Sequence, residues 1–262
     1  MHIKRRELLF AGLSSAALGL MTEPAMAIAA PTDQPTLDLW PGNRAPGGPG
    51  PKEAEKVSAK GSVTQVSRPR LVVYRPERPN GTAMLVIAGG GYAHIERGTE
   101  STPACLWLQS QGVTAFELVY RLPGEHWPAV APLQDGQRAM RVIRASAQEF
   151  GLDTGHIGVM GFSAGGHLAG ITAATPGVAR YPLLDEIDKQ SSRPDFAALI
   201  YPVLTFMPPF DHTHARREIV GEHPTAEESA AFSVDHLVTA QMPPTFLAVS
   251  YTHLRAHETR HD

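Results

Sequence analysis

The sequence predicts an α/β domain with a mostly parallel central sheet and helices on both of its faces. Three observations carry that prediction. From about residue 63 onward, short apolar runs rich in β-branched and aromatic residues alternate with helical stretches, punctuated by Gly and Pro. A Gly-x-Ser-x-Gly run, Gly161 to Gly165, stands between an apolar run and a small-residue helical stretch. Finally, 262 residues that are 42% hydrophobic and 19% charged suffice for one large globular domain or at most two small ones. Basic residues number 23 against 26 acidic, a net charge of −3, so no global positive field exists to hold a polyphosphate backbone and nucleic acid is not an expected partner. The lone cysteine, Cys105, rules out an internal disulfide framework and a multi-cysteine zinc site, and reads as a small buried hydrophobe. Glycine (24) and proline (23) suit many short turns.

Taken in order, residues 1–27 read as an export signal: a basic start (Lys4, Arg5, Arg6), an apolar stretch from Leu8 to Met21, and a small-residue end at Ala25, Met26 and Ala27. The adjacent arginines and weak hydrophobicity resemble a twin-arginine signal, with cleavage expected after Ala27 and a periplasmic or secreted mature protein. The apolar run is too short, and too rich in Gly and Ser, for a permanent membrane span. Residues 28–62, rich in Pro, Gly and charge, are expected to form an extended surface lead-in. The domain proper is expected over 63–250. Strands are predicted at Leu71–Tyr74, Ala83–Ala88, Gly112–Tyr120, Ile157–Phe162, Phe196–Tyr201 and Thr245–Ser250. Pro132–Phe150 reads as one amphipathic helix, with Ala139, Val142, Ile143 and Ala147 at helical spacing and Arg138, Arg141 and Arg144 largely on other faces. Ala164–Ala174 reads as a small-residue helix.

The chemistry concentrates at two glycine-flanked turns. A serine on a strained strand-to-helix turn needs neighbours without bulk, and Gly161 and Gly165 flank Ser163 at two residues either side. Such a turn presents the hydroxyl at the carboxyl edge of a sheet, beside backbone N–H groups at a helix start that can receive developing negative charge. Ser163 is therefore the candidate nucleophile. Gly89, Gly90 and Gly91 directly follow a predicted strand and leave backbone amides unobstructed, which suits an oxyanion; no phosphate-loop pattern accompanies them. His167 lies four residues along the same helix and cannot reach over Ser163 as a base, so it is expected to pack beneath the turn. Asp211, His212 and His214 fall in a polar loop and read as solvated or substrate-lining. Asp235 precedes the last predicted strand, out of place for a triad acid, and Asp135 reads as organising the start of the Arg138 helix.

The order of GGGY (Gly89–Tyr92), YRLP (Tyr120–Pro123), DGQRAMR (Asp135–Arg141), GFSAGGHLA (Gly161–Ala169), YPV (Tyr201–Val203) and PPTFL (Pro243–Leu247) resembles bacterial α/β-hydrolase esterases. More narrowly, it resembles the acetyl-esterase and lipase group that includes acetyl-xylan-type and feruloyl-type carbohydrate esterases, over about residues 36–250. Ala88 stands where lipase relatives carry a histidine. The resemblance implies an α/β-hydrolase fold and a serine carboxylic-ester hydrolase acting on acetyl or feruloyl esters of polysaccharides, or on small esters. It implies no metal or cofactor, and an oxyanion hole formed by the amides of Gly90, Gly91 and Ala164.

A serine needs a histidine base, and that base an acid, which in this fold follow in the order serine, acid, histidine. The acid is expected just after the Thr245–Ser250 strand and the histidine after one further strand, yet twelve residues follow Ser250. No triad acid or histidine is therefore assigned in this chain. Residues 251–262 turn abruptly to a hydrophilic Arg/His run and read as a non-family tail on a truncated gene, with the last strand missing and a sheet edge left bare. His253, His257 and His261 would share a helical face but are not expected to supply a base or a metal site. The competing readings are a catalytically incompetent fragment of the fold and a serine peptidase built on it.

Overall fold

In the computed structural model residues 34–249 are described. The expected export signal and the tail carrying His253, His257 and His261 lie outside the described residues. The strands are β1 (Thr36–Asp38), β2 (Lys56–Val57), β3 (Ser62–Thr64), β4 (Arg70–Tyr74), β5 (Ala83–Ile87), β6 (Ile95–Glu96), β7 (Thr114–Val119), β8 (Ile157–Phe162), β9 (Phe196–Ile200) and β10 (Thr245–Ala248). The helices are α1 (Thr102–Ser110), α2 (Ala131–Ala145), α3 (Ala147–Phe150), α4 (Ser163–Ala174), α5 (His214–Val220), α6 (Ala226–Ala231) and α7 (Val234–Leu237).

Seven strands form one sheet in the order β1-β4-β7-β5-β8-β9-β10. β4 runs antiparallel to β1 and β7, and the run from β7 through β10 is parallel. Every residue of β5 and β7 is buried, as strands covered on both faces must be, which explains the unbroken apolar run of β5 and the mostly apolar one of β7. Helices α2 and α4 pack on each other and on the sheet centre, while α1 packs on β4 and β7. A small antiparallel sheet, β2-β3-β6, sits apart from the main one. At the far edge, β10 leaves Phe246 64% and Leu247 49% exposed, in contrast to the sheet centre.

The register decides where the site falls. Ile87 of β5 pairs with Gly161 of β8, and Phe162 with Ile200 of β9, so three parallel strands end side by side. The segments that leave them, Gly89–Tyr92, Ser163 and Tyr201, therefore emerge at one carboxyl edge of the sheet, where ligands bind in open α/β folds.

Three expectations are refined. The described part of the lead-in is mostly exposed, as expected, but it is tied to the domain: β1 joins the main sheet, β2 pairs with β3, and Leu39 and Trp40 are buried in the core. Two apolar residues among prolines carry no periodicity, so pattern reading passes over them. The predicted Pro132–Phe150 helix breaks at Ser146, whose φ of −88° and ψ of 6° separate α2 from α3. The arginines placed off the apolar face of α2 are themselves covered: Arg138 is 1% exposed and pairs with Asp185 and Asp188, Arg141 with Asp188, and Arg144 with Asp195. The segment bearing those aspartates follows α4 in sequence and lies over the helix.

Candidate active site

Ser163 occupies the turn between β8 and α4 with a φ of 49°. That left-handed conformation costs a residue with a Cβ about 1 kcal/mol or more, and persists only where the surroundings enforce it. Three contacts do so here. A Cβ at Gly161 would stand 2.8 Å from the Gly166 nitrogen, and one at Gly165 would stand 2.6 Å from the Ala88 carbonyl carbon, so both flanking glycines are sterically required. The Ser163 carbonyl accepts the Val203 N–H at 3.1 Å, tying the turn to the segment that leaves β9. Among the described residues, no side chain hydrogen-bonds the Ser163 hydroxyl.

The glycine segment after β5 is equally constrained. Gly90, Gly91 and Tyr92 have φ values of 112°, 64° and 64°, three successive residues in positive-φ backbone. A Cβ at Gly89 would lie 2.9 Å from Ser163 Cβ, so this backbone passes directly beside the serine. Two tyrosines hold it there. Tyr120 donates to the Ala88 carbonyl at 2.9 Å, and the buried Tyr92 hydroxyl bonds His167 Nδ1 at 2.7 Å. Ala164, buried, is the second residue of α4 and follows Ser163 at the helix start.

His167 is fully buried and stacked on Phe206. Its Nε2 faces the Phe232 carbonyl at 2.7 Å, which can only accept, so Nε2 carries the proton and Nδ1 accepts from Tyr92. Burial pulls its pKa down to about 4, so it stays neutral at physiological pH, in agreement with a packing role beneath the turn.

His214 lies in a helix rather than in the expected polar loop, and its side chain stays 47% exposed. It opens α5, and its imidazole comes within 3.3 Å of where a Gly91 Cβ would stand, while Nε2 pairs with Glu218 at 3.1 Å. His212 remains outward, 78% exposed at its side chain. Asp135 also differs: it lies inside α2, fully buried, accepting from Trp40 Nε1 and from the backbone and guanidinium of Arg121. The Arg121 guanidinium is sandwiched near the Trp40 and Trp127 rings. The YRLP and DGQ motifs thus meet as a buried ion pair beneath the site. Asp235 is exposed in α7. Cys105 is buried in the core, and burial raises its thiol well above the ordinary range.

Two carboxylates escape the motifs and spacings of the sequence. Glu100 accepts the Gly89 N–H at 2.5 Å and the Tyr201 hydroxyl at 3.1 Å, and its burial raises its pKa. Glu117, in the middle of β7 and fully buried, accepts from Tyr74, Arg97, Ser101 and Thr102. An acidic residue inside an otherwise apolar strand was the one available hint of the second.

Comparison with known proteins places this geometry among esterases. The BD-FAE family profile matches residues 71–253. An acetylxylan esterase of Xylanibacter ruminicola is 28% identical over 191 residues, covering 72% of this chain and 37% of that protein. Endo-1,4-beta-xylanase B of Butyrivibrio fibrisolvens is 34% identical over 166 residues, covering 63% of this chain and 26% of that protein. The chain thus spans well under half the length of these curated relatives. Among solved structures, an acetyl ester-xyloside bifunctional hydrolase from Caldicellulosiruptor lactoaceticus aligns with a TM-score of 0.60 at 36% identity, covering 69% of this chain and 65% of its own. A propionate-bound esterase from Thermogutta terrifontis aligns at 0.58 and 27% identity, covering 78% and 76%.

Proposed function

The chain belongs to the BD-FAE family of α/β-hydrolase-fold esterases, and on that premise we propose that it is an exported serine ester hydrolase that removes acetyl or feruloyl groups from polysaccharide or small-molecule esters. The observation that carries the reading is Ser163 itself: a non-glycine residue at a φ of 49°, at a parallel strand's carboxyl end, on the first turn of a twelve-residue helix. In this reading Ser163 Oγ gives its proton to a base and bonds to the acyl carbon. The oxyanion that forms rests on the amides of Gly90, Gly91 and Ala164. The C–O bond to the alcohol then breaks as the alcohol takes up a proton, leaving an acyl-serine. Water adds to that ester, the acid departs, and Ser163 regains its proton. No described histidine is assigned as the base.

Support for an acetylated carbohydrate substrate comes from the names of the relatives, and support for export from the basic, apolar and small-residue succession of residues 1–27. No helix among the described residues is long and apolar enough to cross a membrane. The test is acetate release from acetylated xylan and from p-nitrophenyl acetate, set against p-nitroanilide release from a peptide substrate. The expected result is acetate release that disappears in Ser163→Ala, with no p-nitroanilide. A Ser163→Ala protein as fast as its parent contradicts the mechanism. A parent protein that releases nothing favours the second reading, an incompetent relative, which the lack of a described histidine on Ser163 motivates.

A further inference from the structure

We infer that Glu100 is a positioning residue that fixes the glycine segment after β5 against the nucleophile, by bonding the Gly89 amide with one carboxylate oxygen and the Tyr201 hydroxyl with the other. The inference rests on the esterase reading of Ser163 and extends it to a residue that touches none of the reacting atoms.

Four features of the structure support it. The point a Gly89 Cβ would occupy lies 2.9 Å from Ser163 Cβ and 3.2 Å from Glu100 Oε2, so carboxylate, glycine backbone and serine share one small volume. Both segments that Glu100 joins are strained: Gly90, Gly91 and Tyr92 follow directly on one side, and Tyr201 on the other has a φ of 36°. Strain of this kind needs fixed partners on every side. The Tyr201 ring also lies tilted against Phe162, the residue before the serine, with centroids 6.0 Å apart, and its N–H bonds the Ala248 carbonyl, so it is set by β8 and β10 before it meets Glu100.

The fourth feature is how Glu100 is delivered. It sits on a π-helical turn, Arg97–Ser101, a rare conformation that is frequent at functional sites. That turn is pinned from below by the buried Glu117 carboxylate, which takes hydrogen bonds from Arg97 and Ser101 within it and from Thr102 just after it. Three of the four donors to this buried carboxylate come from the turn or the residue after it, so most of its bonding capacity holds the turn in place. Clamping Gly89 holds the next two amides, Gly90 and Gly91, at a set distance from the serine, and oxyanion donors act only when so pre-set.

The test compares Glu100→Ala, Glu100→Gln and Tyr201→Phe in the full chain, with p-nitrophenyl acetate as substrate and melting temperature as a control. Glu100→Ala is expected to lower kcat by about 10- to 100-fold with KM within about twofold, because transition-state donors are displaced while ground-state binding stays. Glu100→Gln is expected to recover kcat to within about threefold of the parent, since its amide oxygen can still accept from Gly89 and its NH2 can donate to the Tyr201 oxygen. Where Glu100→Ala fails to fold, Tyr201→Phe, which removes one hydroxyl, is expected to lower kcat by about three- to tenfold. In each protein the Gly89 amide proton is followed by NMR: far downfield in the parent and shifted upfield in Glu100→Ala. The inference is overturned if an active parent and a folded Glu100→Ala share the same kcat, if Glu100→Gln is as slow as the alanine variant, or if the parent's Gly89 amide shows no downfield shift. A parent that hydrolyses no ester overturns the esterase reading and this inference with it, an outcome distinct from the others.

Discussion

Gly89 shows how little room separates the glycine backbone from Ser163. An alanine there would place its Cβ 2.8 Å from the Phe162 carbonyl oxygen and 2.9 Å from Ser163 Cβ, and neither neighbour is a flexible side-chain end. Gly89→Ala is expected to reduce kcat by at least about 100-fold, because a displacement of even 1 Å at the reacting centre has that consequence. Steady-state kinetics with a circular dichroism control check it. His167 makes a different prediction. Its folded pKa of about 4 lies below the ordinary histidine value of 6.5, so below pH 6.5 the unfolded chain binds a proton that the folded chain refuses. Stability is therefore expected to fall as pH drops from about 6.5 to about 4, by roughly 3 kcal/mol, and to level off below that for this group. Urea melts across the range check it, with a His167→Gln protein expected to show a flatter profile. Ser163 and its glycines were legible in the sequence because their constraint is local: a strained turn needs small neighbours two residues away. Glu100 was not, because its partner Tyr201 is 101 residues distant and its other partner is a backbone amide.

Among the elements, the parallel strands were legible within a residue or two, since β5, β7 and β8 are short β-branched or aromatic runs bounded by Gly and Pro. The failures follow from tertiary contact. Periodicity sets the arginines of α2 off the apolar face but says nothing of what covers them; Asp185, Asp188 and Asp195 arrive from a later segment and bury them. The π-helical turn before α1 has no propensity signature at all; it exists because Glu117 gathers its donors. Replacing that carboxylate leaves Arg97 without a buried partner, so Glu117→Ala is expected to destabilise the protein by about 3 kcal/mol. Denaturant unfolding measures the loss. Because the turn carries Glu100, the same variant is expected to lower kcat even where it remains folded.

For the molecule as a whole, the described residues before 63 are tied into the domain. Trp40 is 2% exposed, donates to Asp135, and stacks edge-on against Tyr181, so one residue of the lead-in reaches the ion pair beneath the site. Trp40→Ala is expected to cost about 3 to 5 kcal/mol, a loss readable as a lowered denaturation midpoint. The sheet order then explains why that distant segment bears on function. β1 and β4 close one edge, the parallel strands end together, and the Ser163 turn, the glycine segment and Tyr201 meet there.

The central claim is that this convergence makes Ser163 a nucleophile. The most direct measurement is peptide mass mapping of the full chain after exposure to a fluorophosphonate ester, a reagent that phosphonylates activated serines. The account predicts one adduct, on Ser163, absent in Ser163→Ala and formed more slowly in Glu100→Ala. A folded protein that takes up no label, or takes it at another serine, would contradict it.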